Sequence, residues 1–235
     1  MAMRLIVTVC VAAMLSLAPA IAGTLLEPAL HLPKAQSSVP RVAVTLDACS
    51  GDIDHRILDV IISENIPVTL FVTERWLLVN AETVAVLARR PDLFNIENHG
   101  RNHVPAVTGT EKPYGITPAG TLAAVDDEVL GGAQAIIASF GTKPGWFRGA
   151  TALYTQDALD EIGRLGFRVA GFSLNADYGA TASAAAAEAQ IRKAKDGDVI
   201  IAHINQPKRA AGEGIARGLM ELKRSGYQFV RLGDL

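Results

Sequence analysis

The sequence predicts an α/β fold built on a parallel sheet, either doubly wound or closed into a barrel. Seven short runs rich in β-branched residues alternate with longer segments that carry apolar residues at helical spacing. The run at 199–202 is apolar enough to be buried on both faces, as parallel strands are. No internal repeat divides the chain, whose roughly 210 residues after the N-terminal segment suit one domain.

The elements are expected in alternating order along the chain. Strands are predicted at residues 41–46, 67–72, 93–97, 146–148, 168–174, 199–202 and 228–232. Helices are predicted at residues 53–65, 74–88, 117–140, 155–165, 181–194 and 212–224. The pair Gly131-Gly132 weakens the third helix, and Gly166 closes the fourth. Residues 104–118 form the longest irregular stretch, and loops of this size are often functional.

The N-terminal segment predicts export. In residues 1–22, Arg4 precedes an apolar run that ends in Ala20-Ile21-Ala22, the order of a secretory signal peptide with its cleavage site. The run is shorter than the ~20 residues of a membrane span. We therefore expect a periplasmic or secreted protein with no stable membrane anchor after cleavage. Residues 23–40, with three prolines, predict an extended N-terminal arm, and residues 41–235 the domain.

Charge and cysteine content exclude two classes of protein. The formal net charge is −2, or −3 without Arg4, and this mild balance argues against a nucleic-acid partner. Without the predicted signal the chain keeps one cysteine, Cys49, so a disulfide framework is excluded. Stability must therefore come from the core.

Two imidazoles follow the third predicted strand. His99 and His103 are four residues apart, and two neutral imidazoles make half of a site for zinc or a similar ion. The alternative is a surface turn with incidental histidines. Their position directly after a strand, in a chain with only five histidines, favours the metal site.

Acidic and basic side chains end other predicted strands. Asp47 is a candidate general base, or else a turn or cap aspartate. His203 is placed to protonate a leaving group, or else is a structural histidine. Arg148 and Asp177 would form ion pairs that tune Asp47 and His203, or would be surface charges. Because the carboxyl ends of parallel strands meet at one edge, we expect these groups to converge.

Five ordered motifs resemble the polysaccharide deacetylases of the NodB homology type, carbohydrate esterase family 4. They are Thr45-Leu46-Asp47-Ala48-Cys49, His99-Gly100-Arg101-Asn102-His103, Arg148, Asp177 and Ile201-Ala202-His203. The resemblance covers about residues 41–235 and implies a deformed (β/α) barrel with about seven parallel strands. It also implies a divalent metal, usually Zn²⁺, and the removal of acetyl groups from N-acetylated sugars.

The resemblance implies a role for each matched residue. Asp47 resembles the catalytic base, and His203 resembles the general acid. The residues that orient the base and the acid resemble Arg148 and Asp177 respectively. The metal ligands of the family match His99 and His103.

Two departures from the family pattern concern the site. The family carries an acidic third metal ligand directly after the base, where this chain has Ala48. The third motif is Arg148-Gly149-Ala150-Thr151 instead of Arg-x-Pro-Tyr, so the loop that shapes the substrate groove differs. Asp52 is our first candidate for the missing ligand, if the turn before it folds back. Cys49 is the second, with a buried structural thiol as its alternative, and water could also fill the position.

The expected substrate is an N-acetylated glycan such as peptidoglycan, a chitin-like chain or an exopolysaccharide. Two alternatives stay open: a barrel that has lost catalysis and binds cell-wall glycan, and a hydrolase of another C–N bond. A pure binding module has no need of both an acid and a base, which favours the enzyme. Tyr114 and Trp146 are candidates for stacking on sugar rings, or else for packing.

Overall fold

The computed structural model describes residues 24–34 and 38–235, so the signal peptide predicted at 1–22 lies outside the described residues. Its parallel strands form one curled sheet. They are β1 (Arg41–Ala48), β2 (Val68–Val72), β3 (Phe94–Asn98), β4 (Trp146–Phe147), β5 (Arg168–Val169), β6 (Leu174–Asn175), β7 (Asp198–His203) and β8 (Gln228–Phe229). Helices cover the sheet: α1 (His55–Ser63), α2 (Glu74–Val79), α3 (Ala81–Ala88), α4 (Leu122–Phe140), α5 (Gln156–Arg164), α6 (Ala184–Ile191) and α7 (Ala211–Arg224).

Seven strands follow one curled path, in the order β5-β4-β3-β2-β1-β7-β6, and β8 pairs with the start of β1. The prediction of an α/β deformed barrel with about seven parallel strands is confirmed. The strand predicted at 168–174 is in fact two strands, β5 and β6, at opposite ends of the path. The chain between them therefore crosses the open side of the barrel, and its Gly171 passes close to the backbone of Pro28.

Side chains of β1 alternate between two apolar layers. Val42, Val44, Leu46 and Ala48 belong to the cluster that joins the sheet to the helices. Ala43 belongs to a second cluster in the interior of the barrel. Because successive side chains of a strand point to opposite faces, Thr45 and Asp47 share the interior face with Ala43.

The described part of the predicted N-terminal arm is extended and packs on the barrel. Leu26 forms an antiparallel bridge with Tyr154, and Leu32 is buried. The backbone N–H of Leu30 donates to Phe172 O over 3.3 Å. The arm thus covers the segment that connects β5 to β6.

Helix boundaries follow capping chemistry. Asp54 caps α1 by accepting a hydrogen bond from Arg56 N at 3.1 Å. The helix predicted at 74–88 is broken at Asn80, whose side-chain amide donates to Trp76 O and Gly51 O, both at 2.9 Å. Among the described residues, no helix has the length and apolar character needed to span a membrane.

Candidate active site

A cavity of about 550 Å³ opens at the carboxyl ends of β1, β3 and β7. Its volume lies in the range of small-molecule sites. The lining includes Asp47, Cys49, His99, His103 and His203. Asp47 and His203 are register partners on neighbouring strands, and Asp47 Oδ2 lies 3.9 Å from His99 Nε2. The structure therefore brings the predicted carboxylate and all three predicted imidazoles together.

Arg148 holds Asp47 from the short strand β4. Its Nη1 donates to Asp47 Oδ1 and to Thr45 Oγ1, each at 2.9 Å. Its Nε and Nη2 donate to the carbonyls of Ala170 and Gly171, both at 3.1 Å. The guanidinium is fully buried, so these contacts replace water around it.

The charge state of Asp47 follows from its neighbours. Burial raises the pKa of this carboxyl, but Arg148, His99 and His203 together lower it more, and the pKa falls below its ordinary value. Asp47 is thus a carboxylate at neutral pH. Its Oδ2 faces His99 in the cavity.

His203 is held by Asp177, which follows the short strand β6. The carboxylate accepts hydrogen bonds from His203 N at 2.7 Å and from His203 Nδ1 at 3.1 and 3.2 Å. Burial lowers the pKa of His203, but Asp177 and Cys49 raise it further, to well above its ordinary value. The proton on Nδ1 points to Asp177, which leaves Nε2 for the cavity.

Cys49, His99 and His103 form a compact cluster beside Asp47. One ligand atom from each lies within 4.8 Å of the others, and Cys49 Sγ is 3.4 Å from His99 Nε2. Burial raises the pKa of the Cys49 thiol, but the imidazoles of His99, His103 and His203 lower it well below its usual range. The pKa of His99 is raised, because Asp47 and Cys49 outweigh its burial.

The cluster fits a divalent ion of the zinc class. Ligands at 2.0–2.3 Å in a tetrahedron lie about 3.3–3.8 Å apart, which the Cys49–His99 distance matches. His99 Nδ1 donates to Arg148 O over 2.6 Å, so the lone pair of Nε2 is directed to the cluster. Metal-binding histidines usually donate a hydrogen bond in this way from the ring nitrogen that does not bind the ion.

Asp52, our first candidate for the third ligand, is exposed and is not part of this cluster. The turn that precedes it is fixed from outside, because Thr73 Oγ1 donates to Cys49 O at 2.6 Å and Asn80 Nδ2 donates to Gly51 O. This turn directs Cys49 inward and leaves Asp52 in solvent. Of the two candidates, Cys49 lies with His99 and His103, and Asp52 does not.

Two features that support the histidine loop were missed in the sequence. The buried carboxylate of Glu128 on α4 accepts the backbone N–H groups of Asn102 and Val104 at 2.9–3.0 Å. A Cβ at Gly132 would lie 2.3 Å from Asn98 Oδ1 and 2.6 Å from the backbone of Gly100. The glycine pair that we expected to weaken the helix thus allows the loop to approach it. Glu128 is the last of three consecutive acidic residues, so the sequence alone did not single it out for this contact.

Backbone strain is concentrated at the rim of the cavity. Seven non-glycine residues in the described ranges have positive φ, and five of them line the cavity: His103, Tyr114, Thr151, Ala152 and Tyr178. Such conformations are costly and cluster at functional sites. Of the two aromatic residues proposed for stacking, Tyr114 is 77% exposed, whereas Trp146 is buried and donates its indole N–H to Leu232 O, so Tyr114 is the one available to a ligand.

Comparisons with known proteins identify the family and similar folds. The sequence profile described as polysaccharide deacetylase matches residues 34–170. A carbohydrate esterase family 4 pseudoenzyme from Bacillus anthracis superposes with a TM-score of 0.65 at 16% identity, over 84% of this chain and 66% of that one. Thus this chain spans about two thirds of the pseudoenzyme's length.

Two further structures are similar in fold. PdaA of Bacillus subtilis, a family 4 carbohydrate esterase, gives a TM-score of 0.66 at 20% identity, over 88% of this chain and 84% of that one. A family 4 acetyl xylan esterase from Clostridium thermocellum, in complex with a cobalt ion, gives 0.65 at 23% identity, over 82% and 88%. No curated protein sequence matches significantly.

Proposed function

The chain belongs to the polysaccharide deacetylase family, and from this premise we propose that it hydrolyses the N-acetyl groups of a glycan with the aid of a divalent ion. One observation carries the proposal: a buried base and a partly buried acid open into the same cavity beside a cluster of metal-ligand side chains. These are Asp47 with Arg148, His203 with Asp177, and the cluster of Cys49, His99 and His103.

Asp47 serves as the general base. It takes a proton from water as the water oxygen bonds to the acetyl carbon. Arg148 keeps the carboxylate ionised and fixes one of its oxygens, so the other stays available. Cys49, His99 and His103 would hold the ion, which when bound polarises a carbonyl and lowers the pKa of a bound water.

His203 serves as the general acid. The C–N bond breaks as the imidazolium donates a proton to the departing nitrogen, because an amide nitrogen leaves poorly as an anion. Asp177 holds the charged form and its orientation. Acetate and a free amino sugar are the products.

The substrate we propose is a glycan chain outside the cytoplasm. The signal peptide predicted at 1–22 would export the protein to the periplasm or beyond. A peptidoglycan deacetylase of Bacillus subtilis shares the fold, with a TM-score of 0.66 at 17% identity. Peptidoglycan and chitin-like fragments are therefore the first substrates to test.

A second candidate is a barrel that binds glycan without turnover. It is favoured by Ala48, which removes the acidic ligand of the family pattern, and by the likeness to a pseudoenzyme. Against it, both the proposed base and the proposed acid keep their hydrogen-bonded partners: Asp47 pairs with Arg148, and His203 pairs with Asp177.

One experiment separates these functions. Acetate release from N-acetylglucosamine oligomers and peptidoglycan fragments is measured together with metal content, before and after treatment with a chelator. We expect bound ion, and turnover that the chelator abolishes and Zn²⁺ restores; Asp47→Asn should be inactive with its metal retained. Bound ion without acetate would point to another substrate, and neither ion nor acetate would favour the binding barrel.

A further inference from the structure

We infer that Cys49 is the third protein ligand of the ion and makes the site selective for thiophilic divalent ions such as Zn²⁺, Co²⁺ and Cd²⁺. The inference deepens the proposed function, and it rests on that function in one respect: it assumes that the site binds a divalent ion. It concerns a position where the family pattern has no ligand.

The direction of the side chains at the end of β1 gives the first step. Ala48 packs in the apolar layer between the sheet and the helices, whereas Asp47 and Cys49 both line the cavity. Alternation along a strand predicts this for Asp47 and Ala48, and the turn after β1 continues it to Cys49. The thiol therefore stands on the same side as the base.

Distances within the cluster give the second step. Cys49 Sγ is 3.4 Å from His99 Nε2, the spacing of two ligands on one tetrahedral ion. The His99 and His103 ring centroids are 4.9 Å apart at an angle of 64°. Two ring nitrogens and one sulfur thus surround a common point, and three protein ligands leave a fourth position for substrate or water.

The thiol is held in place before any ion arrives. Thr73 Oγ1 donates to Cys49 O at 2.6 Å, and Thr73 also caps α2 by accepting from Trp76 N at 3.0 Å. The amide of Asn205 donates to Ser50 O from the other side. A structural cysteine in an apolar core needs no such anchors and would not face two imidazoles.

Ligand chemistry fixes the class of ion. Thiolate and imidazole ligands favour zinc-like ions, whereas Mg²⁺ and Ca²⁺ prefer oxygen ligands. A site with two nitrogens and one sulfur should therefore ignore Mg²⁺. Replacement of Cys49 by aspartate should shift the preference toward harder ions such as Mn²⁺.

The test uses Co²⁺ alone as the probe, added to the chelator-treated full chain. A cobalt–thiolate bond gives an intense near-ultraviolet charge-transfer band that nitrogen and oxygen ligands do not give. We compare wild type, Cys49→Ser, Cys49→Asp and Ser50→Ala, the last a control that lines the cavity outside the cluster. Cys10 is kept in every variant, so any band that it contributes persists in Cys49→Ser.

We expect the band in wild type and Ser50→Ala and its loss in both Cys49 variants. Affinity for Co²⁺ should fall in Cys49→Ser by at least about 10–100-fold, the loss that outer-shell partners alone cause. An equal affinity and spectrum in wild type and Cys49→Ser would overturn the inference, as would an acetyl adduct on Cys49 in metal-free protein exposed to an N-acetylated sugar. Neither the spectrum nor the affinity for Co²⁺ depends on turnover. Failure of the proposed function, which the acetate assay measures, is therefore distinguished from failure of this inference.

Discussion

The groups that would carry the chemistry stand on long strands in the middle of the strand path, and the groups that hold them follow short strands toward its two ends, beside the open side of the barrel. Asp47, His99 and His203 stand at the ends of β1, β3 and β7, which have eight, five and six residues. Arg148 and Asp177 follow β4 and β6, which have two residues each. A long strand fixes the direction of its last side chains. After a short strand, the backbone can turn inward, and its carbonyls can accept hydrogen bonds from side chains.

The difference is visible in where backbone carbonyls go. Around the short strands, the carbonyls of Arg148, Ala170 and Gly171 accept hydrogen bonds from side chains. Along β1 and β7 the carbonyls pair in the ladder, and Ile200 O also accepts a hydrogen bond from Thr45 Oγ1 at 2.7 Å. We therefore call β1, β3 and β7 the scaffold half, because they present the reacting groups. We call the short strands with the segments that follow them the clamp half, because their residues hold the reacting groups in place. Substitutions in either group of strands test this division.

The largest effect is expected where a clamp is removed. Arg148→Met leaves Asp47 buried without its cation, and the loss of one partner of a buried pair costs about 3–5 kcal/mol. We expect the free energy of unfolding, measured by urea denaturation, to fall by that amount.

A double variant identifies the cause. Asp47→Asn in the Arg148→Met background removes the uncompensated charge and should recover part of the lost stability. If the single and double variants unfold at the same urea concentration, the loss comes from the hydrogen bonds of Arg148 to the carbonyls of Ala170 and Gly171, and not from the uncompensated carboxylate.

The second prediction concerns a reacting group. His203→Ala should lower the rate of acetate release by on the order of 10²-fold or more, because it removes the general acid. It should cost less stability than Arg148→Met, since the side chain is partly exposed and Asp177 keeps its bond to the backbone N–H of residue 203. Asp177→Asn is the matched variant with a smaller expected loss of rate. An unchanged rate in His203→Ala removes it from the mechanism.

The scaffold half was predictable from the sequence. Apolar, β-branched runs mark β1 and β7, and β3 is a shorter strand around Ile96 that leads into the histidine pair. The polar residues at the ends of these strands fall at a common edge. Asp47, His99 and His203 could be found in this way without any partner. The pairing of Arg148 with Asp47 was also predicted, because both residues lie at the ends of predicted strands.

The clamp half was harder to predict because its contacts are long-range. Two-residue strands have no periodicity, so the sequence predicts one strand where β5 and β6 lie. Glu128 contacts a loop 24 and 26 residues earlier, which no local pattern reveals. The choice between Asp52 and Cys49 depends on hydrogen bonds from Thr73, Asn80 and Asn205, all distant in sequence.

The third prediction tests the arm as part of the clamp half. A Cβ at Gly171 would lie 1.9 Å from Pro28 O, so Gly171→Ala must displace the arm or the segment beneath it. We expect a loss of about 1–3 kcal/mol in the free energy of unfolding, typical of overpacking. Gly163→Ala, in the exposed face of α5 with open space around it, is the control and should stabilise slightly. Equal stability of Gly171→Ala and wild type would mean that the arm is not packed there.

The smallest effect is expected at the rim of the cavity, whose residues neither take part in the proposed chemistry nor hold the residues that do. Tyr114 is exposed, has a φ of 50° and lines the cavity, so its ring is a candidate surface for a sugar. Tyr114→Ala should change the free energy of unfolding by no more than about 0.5 kcal/mol. Loss of a stacking contact worth about 1 kcal/mol would raise KM for glycan oligomers about fivefold with kcat unchanged. Tyr114→Phe keeps the ring and should behave as wild type; an equal rise in KM for both variants would mean that the hydroxyl, not the ring face, contacts the chain.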